Sequence, residues 1–122
     1  CILDETFTVQ GDGTESRCFC YVSDVINAIL AIMENEDGKN QIFNIGNPYE
    51  TSINELIEIL GKIHGTKLIP EYKNFSKPGT KRRVPDITKL KNLGYTPTVT
   101  LDEGLKKTYD WYADYYRNKN NS

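Results

Sequence analysis

Short β-prone runs alternating with longer amphipathic runs predict an α/β domain of about four helices and short strands. Three observations carry this. Val25, Ile26, Ile29, Leu30, Ile32 and Met33 recur at helical spacing, as do Ile53, Leu56, Ile57, Leu60 and Ile63. Residues 6–10, 17–22 and 41–45 are short, β-prone and alternating. Turn-forming groups punctuate the junctions: Gly11-Asp12-Gly13, Asp37-Gly38, Gly46-Asn47-Pro48 and Pro78-Gly79.

In chain order, residues 6–10 form a strand ending at Gly11, and Gly11-Asp12-Gly13 is a tight turn with at least one positive φ. Residues 17–22 form the next strand, with Phe19 and Tyr21 on one face and Cys18, Cys20 and Val22 on the other. Ser23 or Asp24 caps a helix running to about Glu34. Its apolar face is wide, so it should be well buried. A polar loop turns at Asp37-Gly38, and residues 41–45 make a third strand. Ser52-Ile53-Asn54-Glu55 is a capping box that opens a second helix, and Gly65 is a left-handed stop for it. Residues 67–72 read as an edge-like strand, and 73–85 as a polar, basic loop.

Asp86 caps a short helix carrying Ile87, Leu90 and Leu93, stopped at Gly94. Thr100-Leu101-Asp102-Glu103 is a second capping box. The last helix has Leu105, Tyr109, Tyr112 and Tyr116 on one stripe, with Trp111 and Tyr115 beside it. Such a stripe suits core or interface packing. Its polar tail, 117–122, is expected to fray.

A chain of 122 residues suits one domain with a modest core. A net charge of −2 supplies no global field for nucleic acid. No apolar run has the length of a membrane span, and the start lacks the basic and apolar parts of a secretory leader. Cys1, Cys18 and Cys20 complete no zinc set, and reduced cysteine in a cytoplasmic protein is expected.

Few groups are arranged for chemistry. His64, the sole histidine, stands near a helix end with no nucleophile beside it, which suits a surface role. Asp102, Glu103, Glu55 and Glu58 fall at helix starts, where capping and dipole effects explain them. Two cationic sites remain: Arg17, just beyond the glycine turn, and the run Lys77-Pro78-Gly79-Thr80-Lys81-Arg82-Arg83. An arginine fork binds phosphate oxygens through two parallel bonds. If the two sites converge, they can clamp a diphosphate from two sides.

These features, in this order, resemble the C-terminal portion of extended short-chain dehydrogenases/reductases, the NAD-dependent nucleotide-sugar epimerase/dehydratase family. The matching pieces are Gly11-Asp12-Gly13 with Arg17, Phe19-Cys20-Tyr21-Val22-Ser23-Asp24, Phe43-Asn44-Ile45-Gly46-Asn47, the loop 77–86, Leu93-Gly94-Tyr95-Thr96-Pro97 and Leu101-Asp102-Glu103-Gly104-Leu105. The resemblance implies the substrate-binding part of an extended Rossmann-type fold. Residues 1–122 would then be a single C-terminal nucleotide-sugar-binding domain.

By the same resemblance, Arg17 contacts a nucleotide diphosphate, with Lys77, Arg82 or Arg83 as the second cationic contact, and Val9 and Gln10 lie against the base. Many relatives have an aromatic residue at the position of Gln10, and the dehydratases have arginine at that of Lys77. Arg83-Val84-Pro85-Asp86 is similar to a decarboxylase motif whose arginine lies near the reacting sugar.

Gly-x-x-Gly-x-x-Gly is absent from this sequence, and the one Tyr-x-x-x-Lys spacing, Tyr115 to Lys119, lies in the polar tail. The resemblance therefore implies a chain that holds no NAD and no catalytic residue and is inactive alone, both belonging to a Rossmann half outside it. The implied partners are a nucleotide-diphosphate sugar, that half, and a second copy of the chain, with neither nucleic acid nor membrane. A non-catalytic interaction module, using the aromatic last helix, is the alternative.

Overall fold

The computed structural model describes residues 7–74 and 79–120. It is α/β, with two small sheets and four helices among the described residues. Strand β1 (Thr8–Gln10) pairs in parallel with β4 (Glu71–Lys73). Strand β2 (Ser16–Cys18) is central in the other sheet, antiparallel to β3 (Glu50–Ser52) and parallel to β5 (Arg82–Arg83). The helices are α1 (Val22–Glu34), α2 (Ile53–His64), α3 (Thr88–Lys91) and α4 (Leu101–Asn120), and a 3-10 turn spans Glu36–Gly38.

Local signals place the helix ends well. Ser52 and Glu55 form the reciprocal capping box at the start of α2, and Gly65 ends it at φ 86°. Thr100 and Glu103 do the same for α4: the Thr100 N–H donates to Glu103 Oε2, and the Glu103 N–H to Thr100 Oγ1. Asp86 accepts from the Thr88 N–H at the start of α3, and Gly94 lies beyond its end at φ 88°. Both glycines of the first turn take positive φ. Gly13 also abuts the Asn54 side chain, where a Cβ would collide.

Several expectations need correction. The strand expected at 17–22 covers only Ser16–Cys18, because α1 begins at Val22. Residues 41–45 form no strand: no strand among the described residues pairs with them, and Lys89 Nζ donates to Gln41 Oε1 and to the Ile42 carbonyl instead. The loop expected at 73–85 contains β5, recruited by the free edge of β2. Helix α4 continues through Asn120, so residues 117–120 are helical where fraying was expected.

Helix α1 differs most from expectation. Neither Ser23 nor Asp24 caps it, since Tyr21 stands at the N-cap without a side-chain bond. Nor is its apolar surface well buried. Ala28 and Ile32 face a compact cluster with Ile87, Leu90 and Tyr95. The opposite stripe of Val22, Ile26, Ile29, Leu30 and Met33 is open, with Met33 75% exposed. A helix apolar on both sides needs cover on both, and the described residues supply it on one.

Candidate functional site

Strand β2 is where the basic residues meet. The Arg17 Nη1 donates to its neighbour's carbonyl, Ser16 O, at 2.7 Å and to Lys81 O at 3.4 Å. Register sets Arg17 beside Arg83 and Ser16 beside Arg82. Residues paired across a sheet send their side chains to the same face. Arg17 and Arg83 therefore share one face, and Arg82 leaves on the other. Two cationic segments 64 residues apart in sequence thus converge.

The opposite face explains why the arginines are not equivalent. Arg82 grips Glu50 with a two-pronged bond, Nη2 to Oε1 at 2.6 Å and Nε to Oε2 at 3.0 Å, and Ser16 Oγ donates to the same carboxylate. These bonds hold the Glu50 carboxyl below its usual range, the Arg82 guanidinium contributing most. Arg82 is committed to pinning β5 and β3 across β2. Arg83 is exposed and makes no side-chain hydrogen bond among the described residues, which leaves its fork available. Lys77 lies outside the described residues.

Strand β1 contributes backbone. Val9 is 7% exposed, so its side chain points inward, whereas Gln10 is exposed. Glu71 N donates to Phe7 O, and Gly11 N donates to Lys73 O. By the alternation of a parallel ladder, Thr8 and Gln10 turn their N–H and C=O groups to the other edge, which is unpaired among the described residues. A planar heterocycle can be read along such an edge through backbone bonds alone. Such an edge has no side-chain signature, whereas the residues that the sequence points to here are Val9 and Gln10.

The remaining reactive groups are structural. Burial pushes the Cys18 and Cys20 thiols up, so neither is a ready nucleophile at neutral pH. His64 is half-buried, not a surface group: its Nδ1 lies 2.7 Å from the Tyr109 hydroxyl, tying α2 to α4. No group of three or more metal-ligating side chains occurs among the described residues, and none of their helices is long and apolar enough to cross a membrane.

Residues 2–46 match the family model described as NAD dependent epimerase/dehydratase family. Over 102 residues, the chain is 39% identical to UDP-glucuronic acid decarboxylase 5 of Arabidopsis thaliana, covering 83% of this chain and 29% of that protein. It is 35% identical over 108 residues to GDP-L-fucose synthase 1 of the same plant, covering 88% of this chain and 33% of that one. The UDP-glucose 4-epimerase of Thermotoga maritima, solved with UDP-glucose, superposes with a TM-score of 0.82 at 38% identity, covering 97% of this chain and 37% of that one. The chain thus spans about a third of the length of the relatives it matches. By sequence and by fold, the chain resembles members of the NAD-dependent epimerase/dehydratase family.

Proposed function

We propose that residues 1–122 are the nucleotide-sugar-binding domain of an enzyme whose NAD-binding half lies outside this chain. The pairing of Arg17 with Arg83 on one face of β2–β5 carries this reading. Two guanidinium forks side by side suit a diphosphate, which offers oxygens to both. The unpaired edge of β1 receives the base, with Gln10 beside it and Val9 supporting from beneath. Similar proteins are named for GDP-linked and for UDP-linked sugars, so a base read through backbone groups is compatible with either.

When bound, NAD supplies hydride acceptance at the sugar C4, the step that precedes epimerisation, dehydration or decarboxylation in this family. This chain's residues do the other part of the work. They fix the diphosphate and so supply remote binding energy that orients the sugar. The open stripe of α1 supports the two-part reading. Val22, Ile26, Ile29, Leu30 and Met33 form a continuous apolar surface that a second half would cover, and that would promote self-association where it is absent. Two free cysteines, Cys18 and Cys20, suit a reducing compartment such as the cytoplasm.

Titration calorimetry with UDP-glucose, UDP-glucuronate and GDP-sugars tests the proposal. Arg17→Ala should weaken binding by about 10- to 100-fold, the worth of a charged hydrogen-bonded contact. Arg83→Ala should weaken it as well, while Arg82→Ala should act on stability instead. No binding by the chain, alone or with its NAD-binding half, would refute the reading. The exposure of Trp111, Tyr112 and Tyr115 on α4 favours a second reading, an interaction module docking through that helix. In that case Arg17→Ala changes no binding.

A further inference from the structure

The open edge of β1 and the arginine pair on β2 and β5 belong to different sheets. A ligand that uses both binds best when their separation is fixed in advance. Among the described residues, one side-chain hydrogen bond joins the β1–β4 sheet to the rest of the chain: the Tyr72 hydroxyl donates to Asn54 Oδ1 at 2.9 Å. Tyr72 stands opposite Val9 in the β1–β4 register, and Asn54 lies in the first turn of α2. Two residues before it, Ser52 pairs with Ser16 of β2, the neighbour of Arg17. Asn54 therefore stands between the two sheets.

Asn54 also grips the glycine turn that connects β1 to β2. Its Nδ2 donates to Asp12 O at 3.1 Å, and its backbone N–H donates to Gly13 O at 3.0 Å. A Cβ on Gly13 would collide with the Asn54 amide, so the turn and this side chain are in direct contact. Asp12 is held in its turn by Thr14, whose N–H and hydroxyl donate to Asp12 Oδ1. An asparagine amide offers a donor and an acceptor at once, and both are used here. Aspartate lacks the donor, and leucine, of similar shape, lacks both. The start of α2 does not need the Asn54 side chain, because Ser52 and Glu55 complete its capping box.

We propose that Asn54 is a positioning residue for the bound nucleotide: through Tyr72 and the glycine turn it holds the β1 edge at a fixed distance from Arg17 and Arg83. This rests on the nucleotide-diphosphate reading above. Asn54 acts on the relation between two contacts and makes neither. Its loss weakens a ligand that uses both and spares one that uses the arginines alone. UDP and inorganic pyrophosphate are such a pair. In Asn54→Leu, calorimetry should show UDP affinity lower by about 3- to 10-fold, the worth of a neutral hydrogen bond. Pyrophosphate affinity, read as displacement of UDP, should be unchanged. Tyr72→Phe should lower UDP affinity in the same selective way. Because the Tyr72 hydroxyl acts through Asn54, adding Tyr72→Phe to Asn54→Leu should cost nothing further.

Parallel loss of UDP and pyrophosphate affinity in Asn54→Leu, with a lowered thermal midpoint, makes Asn54 a structural group and overturns the proposal. Unchanged UDP affinity in that variant overturns it too. If Arg17→Ala still weakens both ligands, the diphosphate reading survives either result. Additive losses in the double variant mean that Tyr72 meets the ligand itself, which breaks the link through Asn54. Tyr72 is 52% exposed, so Tyr72→Phe keeps the fold even if Asn54→Leu does not. A ratio of UDP to pyrophosphate affinity in Tyr72→Phe equal to that of the unaltered chain is then decisive against the proposal. Failure of the unaltered chain to bind UDP, even with the proposed NAD-binding half, overturns both readings together.

Discussion

Asp24 fixes how the first long helix meets the last. It is 1% exposed, and its carboxylate accepts from Thr98 N at 3.1 Å, Thr98 Oγ1 at 2.8 Å and Val99 N at 3.0 Å. The sequence points to Asp24 or Ser23 as a helix cap, because only near neighbours are visible in a sequence and Thr98 is 74 residues away. Burial alone would push this carboxyl up, but the donors on Val99 and Thr98 outweigh it and hold it below the usual range. A lowered native value means stability present above the unfolded carboxyl pKa, near 3.9, and lost as pH falls through the native value. Asp24→Asn puts an amide donor against backbone N–H groups and should cost about 1.5–3 kcal/mol near neutral pH. Urea denaturation from pH 7 to pH 2.5 should show that gap closing in acid. A gap constant across that range would mean that the Asp24 charge is not what holds Thr98 and Val99.

At the scale of elements, legibility follows locality. Helix α2 was readable from end to end because its signals lie within its own residues: Ser52 and Glu55 at one terminus, apolar spacing between, Gly65 at the other. Ser52→Ala removes the Oγ that accepts from Glu55 N at 3.2 Å and should lower stability by about 1 kcal/mol. A thermal midpoint unchanged by Ser52→Ala would show that the Glu55 half of the box suffices. The strands were poorly readable for the opposite reason. The longest strand among the described residues has three residues, too short for alternation to register, and β5 is two adjacent arginines made into a strand by β2. Residues 41–45 carry the alternation yet stay irregular, with Ile42 89% exposed. Pairing decides strand identity, and pairing is non-local. The candidate site inherits the same limit. The place of Arg17 after the glycine turn is legible, but that a register sets it beside Arg83 and not Arg82 is not. The backbone edge of Thr8 and Gln10 has no sequence signature at all.

For the whole molecule, the balance of covered and uncovered apolar surface is the controlling quantity. One cluster of buried residues, Ala28, Ile87, Leu90 and Tyr95, anchors α1 against α3. Against it stands the open stripe of Val22, Ile26, Ile29, Leu30 and Met33. A small domain buries a smaller share of its surface than a large one, so its stability margin is narrow. The chain alone should therefore bind an apolar dye at neutral pH and associate with itself as its concentration rises. Ile26→Lys with Met33→Lys tests the cause, because both side chains are more than half exposed, at 52% and 75%. Exposed substitutions of this kind shift stability by only about 0.5 kcal/mol. The double variant should keep its thermal midpoint, lose most dye binding and sediment as a monomer. If the proposed NAD-binding half covers this stripe, its addition should stabilise the unaltered chain by mass action and leave the double variant unchanged. If dye binding and self-association persist in the variant, the aromatic face of α4 is the surface responsible. The stripe on α1 would then have no claim to be the seam with the proposed NAD-binding half.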